Sequence, residues 1–262
     1  MKLKAGLQAL AAGVVFAFGA VKAEAAIIDL GFALDASGSI GTTNFQTARN
    51  ALAQALGQIP FGGPDTYRVS VVTFANSAQD VVTATINSAA ALAGVQNAVA
   101  NAFYTQGATC ISCGTNELVS NFQGLGGLGD FTLFNVITDG EPTVGTTSGA
   151  TLRTSLTAAG VDGISAEAIG AFDLSFLQAL VAPNPGVTTN NPAALPDPYT
   201  SGFVLTVANF AGFQAAIDQK IRNIVVTPPG TIVPGPIAGA GLPALLALGG
   251  FVWARRRKAV AA

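Results

Sequence analysis

The 262-residue chain is 50% hydrophobic and only 10% charged, with a formal net charge of −2. That composition supports a packed core and excludes a disordered chain. The absence of any histidine removes Ser-His-Asp triads, H-E-x-x-H zinc sites and ordinary imidazole base catalysis.

In chain order, the first segment is "MKLKAGLQALAAGVVFAFGAVKAEAA". Lys2 and Lys4, a short apolar stretch and the small-x-small sequence Ala23-Glu-Ala25 predict a secretory signal over residues 1–25. Between Ala26 and Ile232, thirteen acidic residues stand against five basic ones, a net −8. Such a body repels phosphate backbones, so no nucleic-acid partner is expected.

"AIIDLGFALD" (26–35) is a near-continuous apolar run, the pattern of a strand buried on both faces. Phe45, Ala48, Leu52, Leu56 and Ile59 then form one helical stripe, with Thr42 or Thr43 as its N-cap. "YRVSVVTFA" (67–75) and "DVVTATI" (80–86) read as strands joined by a short turn. Ser88 caps an Ala-rich helix, the polar loop 104–115 follows, and a short helix is expected near Glu117 to Phe122.

"FTLFNVITDG" (131–140) is a further buried strand ending on an aspartate. A helix, the strand "ISAEAIGA", a second helix and the strand "GFVLTVAN" follow. Asn209 caps a last helix with the stripe Phe210, Phe213, Ile217, Ile221 and Ile224. Strands alternating with helices predict a doubly wound α/β domain over 26–226: a mostly parallel sheet, helices on both faces and one antiparallel edge strand. The long Pro/Asn-rich loop 182–202 is expected at the bottom of the sheet, away from the ends of the first and fourth strands.

Residues 227–236, "TPPGTIVPGP", read as a Pro/Gly linker. From Ile237 to Ala254 the chain is uncharged, close to the ~20 apolar residues that span a bilayer. The basic cluster Arg255 to Lys258 and the rest of the 255–262 tail would stay cytoplasmic, with the body outside. In an exported protein Cys110 and Cys113 are expected to close a disulfide; a redox pair, free thiols and metal binding are the alternatives.

Chain direction brings the polar strand ends together. If 80–86 is a hairpin partner of 67–75, then Asp35, the 104–115 loop and Asp139 all reach the same sheet edge, where ligands of open α/β sheets bind. Residues two apart on an extended segment face one way, so Asp35, Ser37 and Ser39 can converge with Thr109 and Asp139. Two carboxylates and three hydroxyls are hard oxygen donors suited to Mg2+, with Ca2+ or Mn2+ as alternatives. The other reading of Ser37 and Ser39 is as helix caps, and Thr115 competes with Thr109.

The order "DASGSI", "GAT", "ITDGEP" resembles a von Willebrand factor type A domain. The resemblance implies a metal-ion-dependent adhesion site built by Asp35, Ser37, Ser39, Thr109 and Asp139, and a cation bridging to an acidic group on a protein or exopolysaccharide. The tail, with Val233-Pro-Gly-Pro236, an apolar helix and terminal arginines, resembles the PEP-CTERM sorting signals of Gram-negative bacteria. That implies an exosortase-like processing enzyme, membrane attachment through the C-terminal helix, and a place at the cell surface or in the extracellular matrix. No catalysis is expected. A matrix component with a stabilising cation and a metal-dependent hydrolase using Glu141 are the alternative readings.

Overall fold

A computed structural model describes residues 25–226. The calls on the export signal, apart from Ala25, and on the linker, apolar segment and basic tail beyond Val226 lie outside the described residues. Within them no helix is long and apolar enough to cross a membrane.

Seven strands form one sheet in the order β3-β2-β1-β4-β5-β7-β6. The inner strands are β1 (Ile27–Asp35), β2 (Thr66–Phe74), β4 (Phe131–Thr138), β5 (Gly163–Ile169) and β7 (Phe203–Val207). All pair in parallel, whereas β3 (Ala78–Ile86) lies antiparallel on one edge of β2. β1 is apolar almost throughout because both its faces are covered: Leu30, Phe32 and Leu34 enter one cluster and Ala33 the other.

Helices α1 (Gly41–Leu56), α2 (Ala89–Ala100) and α6 (Phe210–Val226) cover the first face. Helices α3 (Ile111–Gly124), α4 (Gly149–Ala158) and α5 (Leu174–Leu180) cover the second. The expected stripes of α1 and α6 are the buried ones, except that α1 ends at Leu56 and Ile59, also buried, lies beyond it. Ser88 accepts a hydrogen bond from the Ala91 N–H and Asn209 from the Gly212 N–H, each capping its helix.

Three local expectations are corrected. Neither Thr42 nor Thr43 caps α1; its first amide, on Gly41, donates instead to the Tyr104 hydroxyl, 3.1 Å away. The helix expected near Glu117 starts six residues earlier, at Ile111, and the preceding loop ends at Cys110. "CISCG" has the composition of a loop, but at Gly114 a Cβ would meet the Phe74 ring at 2.8 Å, so glycine lets this turn of α3 lie directly on β2. The 182–202 segment contains a short strand, β6 (Val187–Thr189), parallel to β7 on the second edge. Its remainder stays at the bottom, where the Tyr199 ring packs edge-on against Phe131 and its hydroxyl donates to the Ile224 carbonyl.

The bottom of the sheet also holds a buried ion pair. Arg68 Nε and Nη2 meet the two carboxylate oxygens of Asp29 at 2.6 and 2.7 Å. Arg68 Nη2 further donates to the Gly127 carbonyl just past the end of α3, at 2.8 Å. Asp29 also accepts from the Gly129 N–H at 2.7 Å. One charge pair thus joins β1, β2 and the C-terminal end of α3.

Candidate metal centre

The upper ends of β1 and β4 carry the proposed ligands, and backbone contacts hold them in place. Beyond Asp35 the chain turns, with the Ser37 N–H donating to Asp35 Oδ1 at 2.8 Å. The Tyr104 hydroxyl donates to the Ser37 carbonyl at 3.1 Å. The loop before α3 is fastened to this turn twice: Gln106 N–H to the Ala36 carbonyl and Gly38 N–H to the Gly107 carbonyl, both 2.9 Å. Gly107 has φ of +108°, a backbone region open to glycine at little cost. Ala108 N–H donates to Asn76 Oδ1 and Cys110 N–H to the Ala75 carbonyl, so the end of β2 anchors the same loop.

Ser37 and Ser39 do not act as helix caps. Their hydroxyls lie 3.2 Å apart, and Ser39 Oγ donates to Asp139 Oδ1 at 2.7 Å. A Cβ on Gly140 would stand 3.6 Å from both Ser39 Oγ and Thr109 Oγ1, so the two hydroxyls border the same point, and both residues line one cleft. Thr109 is chosen over Thr115 on geometry. Thr115 is fully buried within α3 and donates to the Ile111 carbonyl at 3.1 Å. All five expected residues therefore meet at one sheet edge. Cys110 and Cys113 form a disulfide across the first turn of α3, directly after Thr109.

Three supporting residues were missed in the sequence. Thr138 Oγ1 donates to Asp35 Oδ2 at 2.6 Å. Thr143 clasps Thr109 from both sides: its hydroxyl accepts from the Thr109 N–H and its own N–H donates to the Thr109 carbonyl. Tyr104 braces both the serine turn and the start of α1. The neighbour relation of Thr138 to Asp139 was a usable signal; the other two depend on loop folding that periodicity does not encode.

The site opens into a cleft of about 740 Å³ lined by Ser39, Thr109, Asp139, Glu141 and small or amide residues such as Gly170 and Asn209. Among the described residues no basic side chain lines it. Asp35 is 1% exposed, and burial raises its pKa from 3.8 to about 6, against the opposing effect of the Ser37 and Thr138 hydrogen bonds. Burial also raises the pKa of Asp139, opposed by its bond from Ser39. Two desolvated carboxylates with no cationic partner among the described residues are what a bound cation would relieve. Among the described residues no cluster of three or more His, Cys, Asp or Glu could hold a metal. The donor set here fits a hard cation because hydroxyls complete it.

The raised pKa fixes a pH dependence. Folded, metal-free protein holds the Asp35 proton more tightly than the unfolded chain, so this contribution is full below about pH 4 and is lost as pH rises through about 6. It amounts to at most about 3 kcal/mol. A cation displaces that proton, so the Mg2+-induced rise in Tm is expected to be small near pH 4 and to grow towards pH 7. Thermal melts with Mg2+ and with EDTA across this range measure it.

Residues 29–219 match the model of the von Willebrand factor type A domain, and the chain belongs to that family. No curated protein matches it. Among solved structures, it is similar to proximal thread matrix protein 1 from the mussel byssus, with 21% identity and a TM-score of 0.57 over 77% of this chain and 46% of that one. A second structure of that mussel protein, with a zinc-occupied MIDAS motif, gives 21% identity and a TM-score of 0.54 over 76% of this chain and 46% of that one. The pilus adhesin SpaC from Lactobacillus rhamnosus GG gives 14% identity and a TM-score of 0.54 over 76% of this chain and 30% of that one. The chain thus spans less than half the length of these proteins, and at these identities the likeness shows the fold alone.

Proposed function

We propose that the protein is an exported, surface-associated binding module, and that a divalent cation at Asp35, Ser37, Ser39, Thr109 and Asp139 engages an acidic group on a protein or exopolysaccharide partner. One observation carries this reading: three of the five oxygen donors, Ser39, Thr109 and Asp139, line an open cleft that no basic side chain among the described residues lines. Three of the five donors are uncharged hydroxyls, which leave a divalent ion attractive to an incoming carboxylate. When bound, the cation supplies that electrostatic bridge. Small residues at the rim admit a protruding acidic side chain or sugar acid.

The family membership supports a MIDAS-type site, as do the hydrogen bonds that aim Ser39 at Asp139. The metal we favour is Mg2+, with Ca2+ or Mn2+ accommodated by the same donors. The leader and sorting segments read from the sequence would place the module outside the inner membrane, at the cell surface or in the matrix, with an exosortase-like enzyme acting on the tail. The site is read as non-catalytic, since the chain has no histidine and Glu141 is an exposed rim residue.

Asp35 itself favours a second reading, because a cation beside so buried a carboxylate would also stabilise the fold. Capture of partners from the organism's extracellular material, with Mg2+ against EDTA, separates the two. Bridging predicts capture that EDTA abolishes. Capture that is indifferent to EDTA, with Tm still falling, leaves only the stabilising role.

A further inference from the structure

The sheet face beneath α6 holds a second polar group, remote in kind from the cation site. Phe32, Asn135, Ser165 and Phe203 are register partners across β1, β4, β5 and β7, forming one row. Glu167 stands two residues along β5 on the same face. Lys220 of α6 descends into this row and is 1% exposed; Asn135 is 3% exposed and Glu167 fully buried. Lys220 Nζ contacts Asn135 Oδ1, lies 2.5 Å from Ser165 Oγ, and lies 3.0 Å from Glu167 Oε1. The Phe203 ring centroid is 5.0 Å from Nζ.

A buried ion pair is the plain interpretation, and the hydrogen-bond accounting speaks against it. Neither Glu167 oxygen accepts a well-directed hydrogen bond, despite the 3.0 Å approach of Nζ, and Asn135 Nδ2 has no partner at all. These are three of the four buried side-chain polar atoms without a partner among the described residues. The adjoining void, lined by Leu30, Phe32, Phe134 and Ile224 among others, is about 10 Å³, no more than a single water needs. An ion pair left this poorly satisfied costs more than it returns.

We propose that Lys220 and Asn135 are joined by an intramolecular isopeptide bond whose formation Glu167 promotes. Glu167 takes one proton from the Lys220 ammonium, leaving a neutral amine. Burial among aromatic rings favours that form and lowers the affinity of Lys220 for its proton, although the nearby Glu167 carboxylate opposes this. The Nζ lone pair attacks Asn135 Cγ and a C–N bond forms. A proton passes by way of Glu167 from Nζ to Nδ2, the Cγ–Nδ2 bond breaks, and ammonia leaves. One ammonium and one carboxamide give one secondary amide and one ammonium ion: the departing ammonia carries off the proton Glu167 first accepted, so the carboxylate is regenerated and no oxidant or cofactor is required. Fixed proximity supplies much of the acceleration, and the dry surroundings protect the amide from hydrolysis.

Peptide mapping of the reduced, full-length protein by tandem mass spectrometry tests the bond. The expected species links the Asn135 peptide to the Lys220 peptide, at their summed mass less one ammonia, with trypsin no longer cutting after Lys220. The volume-matched Glu167→Gln is expected to slow formation by about 100-fold or more while keeping the Mg2+ response of Tm. Recovery of both wild-type peptides separately, at their sequence masses, overturns the proposal. A cyclic imide at Asn135 would show the same mass loss but leave Lys220 cleavable, and it overturns the proposal equally. A Glu167→Gln protein that cross-links as fast as wild type removes Glu167 from the reaction.

Discussion

Asp35→Asn is expected to lower Mg2+ affinity by more than about 100-fold, well beyond what loss of an outer-shell partner costs, and to abolish EDTA-sensitive partner capture. The substitution keeps one side-chain oxygen for the Ser37 N–H; its amide nitrogen takes the place of Oδ2 and donates to Thr138 Oγ1, whose hydroxyl turns from donor to acceptor, and the buried charge is removed. Because that charge is disfavoured without a cation, the metal-free variant should melt no lower than metal-free wild type at pH 7. Titration calorimetry with Mg2+ and paired melts in EDTA check both halves. A variant that still gains Tm from Mg2+ as wild type does would remove Asp35 from the site.

Arg68→Met is expected to be the most damaging single change away from the cation site. It leaves the Asp29 carboxyl fully buried and short of its bidentate partner, a loss of about 3–5 kcal/mol. The Gly127 carbonyl just past α3 loses its cationic partner at the same time. For a domain of this size that corresponds to roughly 6–20 °C in Tm. Because the pair lies at the opposite end of the sheet, Mg2+ affinity of the folded fraction should be unchanged. Combining it with Asp29→Ala should recover much of the loss, since no uncompensated charge then remains. Denaturant melts of the two single variants and the double variant decide the matter.

Much of this architecture is legible in the residues. The unbroken apolar runs of β1 and β4 announce strands covered on both faces, and the one antiparallel edge follows from the short turn after Phe74. The two-residue spacing of Asp35, Ser37 and Ser39 points them one way, and chain direction brings Thr109 and Asp139 to them. The start of α3 is hidden because cysteines, serine and glycine look like loop until Phe74 packs against Gly114. Strand β6 draws its stability from β7 and from little in its own three residues. Lys220 falls on the buried stripe of α6, between Ile217 and Ile224, yet its meaning depends on Asn135 and Glu167 from distant strands. Local patterns recover what repeats along the chain; polar groups matched across elements appear only after folding.

Helix α6 is the last described element before residues 227–262, and Lys220 sits in its C-terminal half. Asn135 lies four residues before Asp139, on the strand whose end carries a proposed cation ligand. The two residues are 85 positions apart. If the C-terminal side is tethered and a partner pulls at the cation, tension entering α6 would cross the Lys220–Asn135 link straight into β4. The α4, β5, α5, β6 and β7 region between them would carry no load. Covalently joined, the module would transmit force along its shortest route, through one side chain and half a strand.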